Sequence, residues 1–139
     1  MPKMIFVNLP VADLDRSIAF YEAIGATRNP QFSDDTAACM IVSDTIFVML
    51  VTHDKFRQFT PKAIADSRTT SEVLVCLTAD SREEVDRTVE KAAAGGKLDP
   101  APRQDLGFMY LRSFEDPDGH IWEVTWMDVE AMQAGEAAA

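Results

Sequence analysis

Glu123 is the side chain in this sequence whose surroundings best suit chemistry. It lies in the last predicted strand of the chain, Ile121 to Met127. In that strand Trp122, Val124 and Trp126 form a bulky apolar side suited to packing on a helix, so alternation turns Glu123 to the opposite side. A carboxyl group in apolar surroundings can act as a general base or as a hydrogen-bond donor. The alternative is a carboxyl group that is hydrogen-bonded to a neighbouring side chain or to water.

Further side chains on the same inward side would line a ligand site. Alternation places Phe6 and Asn8 inward on the first predicted strand. It also places Phe47 and Met49 inward on the strand that ends the first half of the chain. Aromatic and thioether side chains favour a flat or apolar ligand, and the polar Asn8 indicates a wet pocket. For each apolar side chain taken alone, ordinary core filling is the simpler interpretation.

Three other polar residues have two interpretations each. Tyr110 and Arg112 share one face of the strand before the last, and the sequence does not decide which face this is. If they point inward they would grip an anionic ligand, and if they point outward they form a solvated pair. Glu72, at the beginning of a predicted strand, suits a solvent-facing position better than a site, although a site remains the alternative.

Two successive stretches of the chain repeat one order of predicted elements. The first begins with a strand from Met4 to Leu9, after which Asp13 opens a helix that stops at Gly25. A short strand within Thr27 to Phe32 and a hairpin from Ala37 to Val51 follow. This stretch therefore predicts a βαβββ unit.

The second stretch begins with a strand from Val73 to Thr78. Asp80 and Glu83 then form a D-x-x-E helix start, and the helix runs to the Gly95-Gly96 stop. A hairpin from Phe108 to Met127 closes this stretch. Its turn, in which proline fixes φ and glycine permits the left-handed conformation, is Asp116-Pro117-Asp118-Gly119.

The two stretches form a weak internal repeat. Their last strands align at an offset of 74 residues, and their first strands, with Val7 on Val73, align at an offset of 66. The predicted fold class is therefore α+β, with paired βαβββ modules whose curved sheets form a cleft. The predicted parts of this single domain are a first module (1–52), a connector (53–71), a second module (72–128) and a flexible C-terminal tail (129–139).

Length and charge limit the partners of the chain. Its 139 residues suffice for one buried core, and a formal charge of −10 would repel nucleic acid and an anionic membrane surface. No apolar run approaches a membrane span and the start lacks a signal-peptide pattern, so a cytoplasmic location is expected. Cys39 and Cys76 lie far apart without C-x-x-C spacing, which favours buried free thiols.

The connector is locally basic, with four Lys and Arg residues against two Asp residues. This contrast would steer a small anionic molecule toward the cleft, with Phe56 and Phe59 acting as a lid. The simpler interpretation is a linker whose phenylalanines pack on the sheet edge or on a dimer partner.

Two motifs resemble the vicinal oxygen chelate superfamily, which includes glyoxalase I, extradiol dioxygenases, and bleomycin and fosfomycin resistance proteins. One is the first strand, Phe6 to Val11, with the D-L-x-x-S helix start at Asp13 to Ser17, and the other runs from Phe114 to Glu123. The resemblance covers nearly the whole chain, and within the superfamily the chain looks closest to the branch labelled predicted lactoylglutathione lyase.

The resemblance implies a divalent metal that is held by side chains of four cleft strands and binds two neighbouring oxygens of a substrate. The four ligand positions fall on Phe6, Met49, Glu72 and Glu123. A phenyl ring has no donor atom and a thioether prefers soft metals, so two positions are unsuited to the metal. We therefore expect no tightly bound cofactor, and at most weak Mg²⁺ or Mn²⁺ on the two carboxylates.

The function favoured by the sequence is small-molecule binding in an apolar cleft with a degenerate metal site, of the sequestering or resistance-protein kind. One alternative is a glyoxalase-like lyase or isomerase in which Glu123 moves a proton with a weak metal or none. A second alternative is a structural or interaction protein whose cleft is filled by its own side chains. The resemblance also favours a homodimer, because proteins of this superfamily often join modules across two chains.

Overall fold

The first module is a four-stranded mixed sheet with one helix. The computed structural model describes residues 2–131 and 133, so most of the predicted tail lies outside the described residues. The strands lie in the order β1-β4-β3-β2, with β1 and β4 parallel and the other pairs antiparallel. The elements of this module are β1 (Ile5–Val11), α1 (Leu14–Ala23), β2 (Thr27–Asn29), β3 (Ala37–Ile41) and β4 (Ile46–Thr52).

The second module repeats this plan after a connector that begins with the short helix α2 (His53–Phe56). Its path is β5-β9-β8-β6, and β7 also pairs with β8. The parallel pair is β5 with β9, which corresponds to β1 with β4. The α+β class with paired modules is thereby confirmed. The elements are β5 (Val75–Thr78), α3 (Arg82–Lys91), β6 (Lys97–Leu98), β7 (Gln104–Asp105), β8 (Met109–Glu115) and β9 (Ile121–Met127).

Helices α1 and α3 both begin at side-chain caps. The Asp13 carboxylate accepts a hydrogen bond from the Arg16 backbone N–H at 3.0 Å, as the sequence predicts. Helix α3 begins one residue later than predicted: its cap is Ser81, whose hydroxyl accepts from the Glu84 backbone N–H at 3.0 Å. The prediction of a start at Asp80 with Glu83 was wrong. Ser81 and Glu84 have the same cap-and-glutamate spacing, so the sequence rule fits both positions.

The strand register corrects the internal repeat. Val7 pairs with Val48, and Val75 pairs with Trp122. Because Val48 and Trp122 are 74 residues apart, the first strands of the modules correspond at an offset of 68, and the predicted offset of 66 was wrong. A slip of two residues leaves every side chain on the same face, so alternation alone does not detect it.

Helices α1 and α3 each cover one face of the sheet in their own module. The residues buried there include Phe20 and Tyr21 of α1 and Val85 and Val89 of α3, and all four belong to one continuous core. The opposite faces of the two sheets point away from the helices, and we call them the open faces. Among the described residues no helix is long and apolar enough to cross a membrane.

The turn between β8 and β9 joins the two modules. Its Asp118 carboxylate accepts from the Ala12 backbone N–H at 2.9 Å and from the Ser17 hydroxyl at 3.3 Å. His120 Nε2–H donates to the Pro10 carbonyl at 2.8 Å. Gly119 has φ +92°, and a Cβ there would come within 2.8 Å of the Ser67 carbonyl, so the turn also needs a glycine to lie against the connector.

Asp116 lies at the centre of this junction. Its carboxylate accepts from the Tyr21 hydroxyl at 2.7 Å, and Trp122 Nε1–H donates to the same hydroxyl oxygen at 2.9 Å. Burial raises the pKa of the Tyr21 hydroxyl well above its ordinary value, and burial also raises the pKa of the Asp116 carboxyl. A strand of the second module is thus hydrogen-bonded through one tyrosine to the helix of the first.

Removing the Tyr21 hydroxyl should destabilise the fold. In Tyr21→Phe the Asp116 carboxylate and the Trp122 indole each lose a partner in a buried place, so we expect the free energy of unfolding to fall by about 2 kcal/mol. Urea denaturation measures this. Tyr110→Phe is the matched control, because the Tyr110 hydroxyl donates at 2.7 Å to Asp86, whose side chain is 40% exposed and can bind water instead. Equal losses in the two variants would contradict the role given to the buried junction.

Candidate functional site

Four predicted site residues share the open face of the first sheet. Phe6 and Phe47 are partners in the β1–β4 register, and their rings stack with centroids 4.7 Å apart and planes 12° apart. Asn8 and Met49 are the next inward pair in the same register. Phe6 is 47% exposed and Asn8 is exposed, whereas Phe47 and Met49 are half-buried. The predicted grouping of these residues on one face agrees with the structure.

Glu123 lies on the open face of the second sheet. Its partners in the register are Cys76 on β5 and Ser113 on β8. Cys76 is exposed because it lies on the edge strand β5, so the prediction of a buried thiol was wrong for this cysteine, whereas Cys39 is buried. The Cys76 thiol lies 3.3 Å from the Thr125 hydroxyl on the same face. Glu123 is half-buried, and its carboxylate forms no ion pair with any described residue. Phe6 and Glu123, the first and last predicted site residues along the chain, therefore lie on different sheets.

Tyr110 and Arg112 lie on the helix-covered face of β8. Arg112 is only 1% exposed, and its guanidinium donates to Asp99 at 2.8 and 3.1 Å and to Asp86 at 2.9 Å. The Tyr110 hydroxyl donates to the same Asp86 carboxylate. Neither predicted alternative describes this arrangement, because the pair is neither on an open face nor solvated. Both side chains are bound to carboxylates beneath α3, which leaves them no part in gripping an anionic ligand on the open face.

The carboxylates that hold Arg112 have altered pKa values. The hydrogen bond from Arg112 lowers the pKa of the Asp99 carboxyl. Burial acts against the ionised form of Asp86, yet hydrogen bonds from Tyr110 and Arg112 lower its pKa as well. These directions are those expected of carboxylates in an ion-pair network that helps to hold α3 on the sheet.

A cavity of about 300 Å³ lies between the connector and both modules. Asn8 and Glu72, two of the predicted site residues, both line it. Phe56 and Lys62 of the connector line it too, whereas Phe59 is exposed with the Lys55 ammonium 5.8 Å from its ring centre. The connector thus covers a pocket at the module junction.

The residues at the implied metal positions do not fit the metal. With the corrected offset of 68, the position in the second module that corresponds to Phe6 is Leu74 and not Glu72. Glu72 lies before β5 and is exposed. Glu123 is then the one oxygen donor among four positions, beside a phenyl ring, a thioether and an isobutyl group. Within the described ranges no group of three or more His, Cys, Asp or Glu side chains could hold a metal ion.

Ser113 is a candidate site residue that sequence analysis did not single out. Its hydroxyl is buried, with the residue 1% exposed, and has no hydrogen-bond partner among the described residues. The sequence left the facing of β8 open, and Ser113 has the opposite parity to Tyr110 and Arg112. Only the burial of Arg112 beneath α3 places Ser113 on the open face beside Glu123.

Two βαβββ modules, each with a helix on one face and an open face on the other, define a class of α+β proteins built from paired modules. Residues 3–124 match the sequence model of the Glyoxalase/Bleomycin resistance protein/Dioxygenase superfamily. The chain belongs to this superfamily. No curated protein matches the sequence significantly.

Solved structures share the fold over most of the chain. A hypothetical protein from S. aureus is 27% identical, with 91% of this chain and 95% of that chain covered and a TM-score of 0.74. A glyoxalase-related enzyme from Fulvimarina pelagi is 22% identical, with 91% and 88% covered and a TM-score of 0.74. The fosfomycin resistance protein FosX from Mesorhizobium loti is 16% identical, with 96% and 98% covered and a TM-score of 0.68.

The Asp99 ion pair predicts a stability difference that depends on pH. Because the pKa of Asp99 is lowered in the folded chain, its contribution is present above the ordinary Asp range and is lost as pH falls below about 4. Asp99→Asn keeps a residue type that tolerates the φ of +50° found there. We expect this variant to lose about 2 kcal/mol at pH 7 and to approach the wild type on acidification.

Urea denaturation at several pH values measures this difference. Asp54→Asn is the control, because Asp54 pairs with Arg57 at an exposed position and its loss should change stability little. A difference between wild type and Asp99→Asn that stays constant from pH 7 to about pH 3 would show that the ionised carboxylate is not what stabilises the fold.

Proposed function

We propose that the chain binds a small apolar molecule on its open faces without a tightly held metal, as a sequestering or resistance-type protein. The observation that carries this proposal is the stacked Phe6–Phe47 pair, which is partly exposed beside the polar Asn8. Apolar surface with a few polar groups is typical of ligand sites. Membership of the superfamily supports the proposal, and so does the similar fold of two fosfomycin resistance proteins. Fosfomycin resistance itself is a property of those two proteins.

We propose further that two copies of the chain complete the site. The edge strands β1 and β5 are flanked by exposed apolar side chains, among them Ile5 (55%), Val73 (63%) and Leu74 (53%). An apolar edge strand favours pairing with another chain. The two open faces lie on different sheets, so a second copy that covers both edges would bring the first sheet of one chain against the second sheet of the other.

The dimer proposal predicts the effect of a charge on the β5 side. Leu74→Arg should turn a dimer into a monomer, because it places a guanidinium in an apolar contact. Size-exclusion chromatography with light scattering measures the mass. Phe32→Arg is the control, since Phe32 is 65% exposed and follows β2, at the edge opposite β1. A wild-type monomer, or a Leu74→Arg dimer of unchanged stability, would contradict the proposal.

Ligand binding can be tested with a neutral fluorescent probe such as N-phenyl-1-naphthylamine. We expect saturable binding by the wild-type protein, and an affinity about tenfold lower in Phe6→Ala, since burial of a phenyl ring is worth about 1.5–3 kcal/mol. Phe6 is partly exposed, so its truncation should leave folding intact, which a melting curve checks. Phe32→Ala is the control and should bind the probe like the wild type. Equal affinity of all three proteins would refute the assigned face.

A second candidate function is a glyoxalase-like lyase or isomerase with Glu123 as the base. The observation in its favour is the half-buried Glu123 carboxylate, which lies on an open face without an ion pair to any described residue. A base must be free to accept a proton from a substrate. Metal analysis separates the candidates: near-stoichiometric divalent metal that Glu123→Gln removes would favour the enzyme and refute metal-free binding.

A structural or interaction protein is the weakest of the three proposals. It requires a cleft filled by the chain's own side chains, whereas the connector cavity of about 300 Å³ is at the lower end of the range of ligand pockets. The formal charge of −10 continues to argue against nucleic acid as a partner, and we propose a cytoplasmic location on the sequence pattern alone.

A further inference from the structure

Three side chains form a row across the open face of the second sheet. Ser113 on β8, Glu123 on β9 and Cys76 on β5 are successive partners in the register. Neighbouring strands lie about 4.8 Å apart, so the Ser113 hydroxyl and the Glu123 carboxylate are within reach of one small polar group placed above them. The Cys76 thiol already has the Thr125 hydroxyl as a partner.

Ser113 lacks a partner within the described chain. Its hydroxyl oxygen is buried, yet it forms no hydrogen bond with any described residue. An unpaired buried hydroxyl is unfavourable, and such groups in native proteins are generally satisfied by a water or a ligand. Because Ser113 lies beside Glu123 on the same face, a group that binds the carboxylate and displaces the side chains covering this hydroxyl can satisfy both.

No basic side chain of the described strands lies beside Glu123. Three strand residues are basic, and Arg28 and Arg112 pair with the core residues Met40 and Val124, which places them on the helix-covered faces. The third, Lys97, pairs with Glu115 at the edge of the sheet. Among the described strand residues, Glu123 therefore has no basic partner in the register.

We infer that the ligand of this face carries a protonated amine on an apolar body; this inference rests on the proposed function. An ammonium group has several N–H donors and no acceptor, which matches a carboxylate and an unpaired hydroxyl side by side. One N–H donates to the Glu123 carboxylate and a second to Ser113 Oγ, while the apolar body extends along β8 over Leu111, which lies two residues from Ser113 on the same face.

This inference differs from the anionic ligand that the sequence left open. An anionic ligand was one of two alternatives, and it required Arg112 and Tyr110 to point inward. In the structure the Arg112 guanidinium donates hydrogen bonds to Asp86 and Asp99 on the other face of the sheet. An anion on the open face would meet Glu123 with no basic strand residue beside it to offset the repulsion.

Three naphthalene compounds that share one ring system test the inference. They are 2-naphthylmethylammonium, the neutral 2-naphthalenemethanol and the anionic 2-naphthoate, and isothermal titration calorimetry measures their affinities for the full-length protein. We expect the ammonium compound to bind at least about tenfold more tightly than the alcohol, because a hydrogen bond between two charged groups is stronger than one between neutral groups. The naphthoate should bind most weakly.

Two variants assign the preference to its residues. Glu123→Gln should bring the ammonium and the alcohol to within about threefold of each other, since the amide keeps the shape and removes the charge. Glu115→Gln is the matched control, because Glu115 lies on the same face but has Lys97 and Ile121, rather than Ser113 and Cys76, as its partners in the register. It should keep the preference within about twofold of the wild type. A thermal melt of each variant verifies folding.

The outcomes separate the inference from the proposed function. Equal binding of the three compounds would overturn the inference and leave small-molecule binding intact. Tightest binding of the naphthoate would also overturn it and restore the anionic ligand. Binding of none of them would refute the proposed function and the inference together. A preference for the ammonium compound that persists in Glu123→Gln would overturn the assignment to this carboxylate.

Discussion

The arrangement of the two modules depends on the burial of two carboxylates in one turn. Asp116 and Asp118 would be costly to bury alone. One oxygen of Asp116 accepts from backbone N–H groups of the turn itself, whereas its other oxygen and the Asp118 carboxylate have partners in the first module: the Tyr21 hydroxyl, the Ser17 hydroxyl and the Ala12 backbone N–H. The two carboxylates are therefore fully satisfied only when the second module lies against α1. Hydrophobic contact alone has no such directional requirement. The hydrogen bonds thus select one relative position of the modules among many that would bury similar apolar area.

The position of the site follows from that junction. The junction lies on the helix side of both sheets, where Phe20 and Phe114 approach to 6.0 Å between ring centres. One face of each sheet packs into the core beneath the helices. The other face is open, with Phe6 on the first sheet and Glu123 on the second. The residues that hold the modules together and the residues available to a ligand are consequently separate sets. A substitution on an open face is therefore expected to alter binding with little effect on the junction.

Alternation and turn chemistry were enough to predict most of the fold. They placed Phe47, Met49 and Glu123 on the faces where the structure has them, because a strand with one buried side repeats every two residues. The same periodicity is blind to a slip of two residues, which is why Glu72 was aligned where Leu74 belongs. Arg112 was beyond sequence reasoning, since its partners Asp86 and Asp99 come from a helix and a loop that only the folded chain brings together.

Glu123 differs from the carboxylates of the junction and from Asp99 in what satisfies it. Asp116 and Asp118 are hydrogen-bonded at the junction, and Asp99 holds a buried guanidinium. Each of these carboxylates stabilises the fold through a partner in the chain. Glu123 has no ion-pair partner among the described residues, and it lies beside the unpaired hydroxyl of Ser113. This polar pair has no evident role in the fold among the described residues, and it lies on a face that the core does not use, which is the ground on which we propose that a molecule binds there.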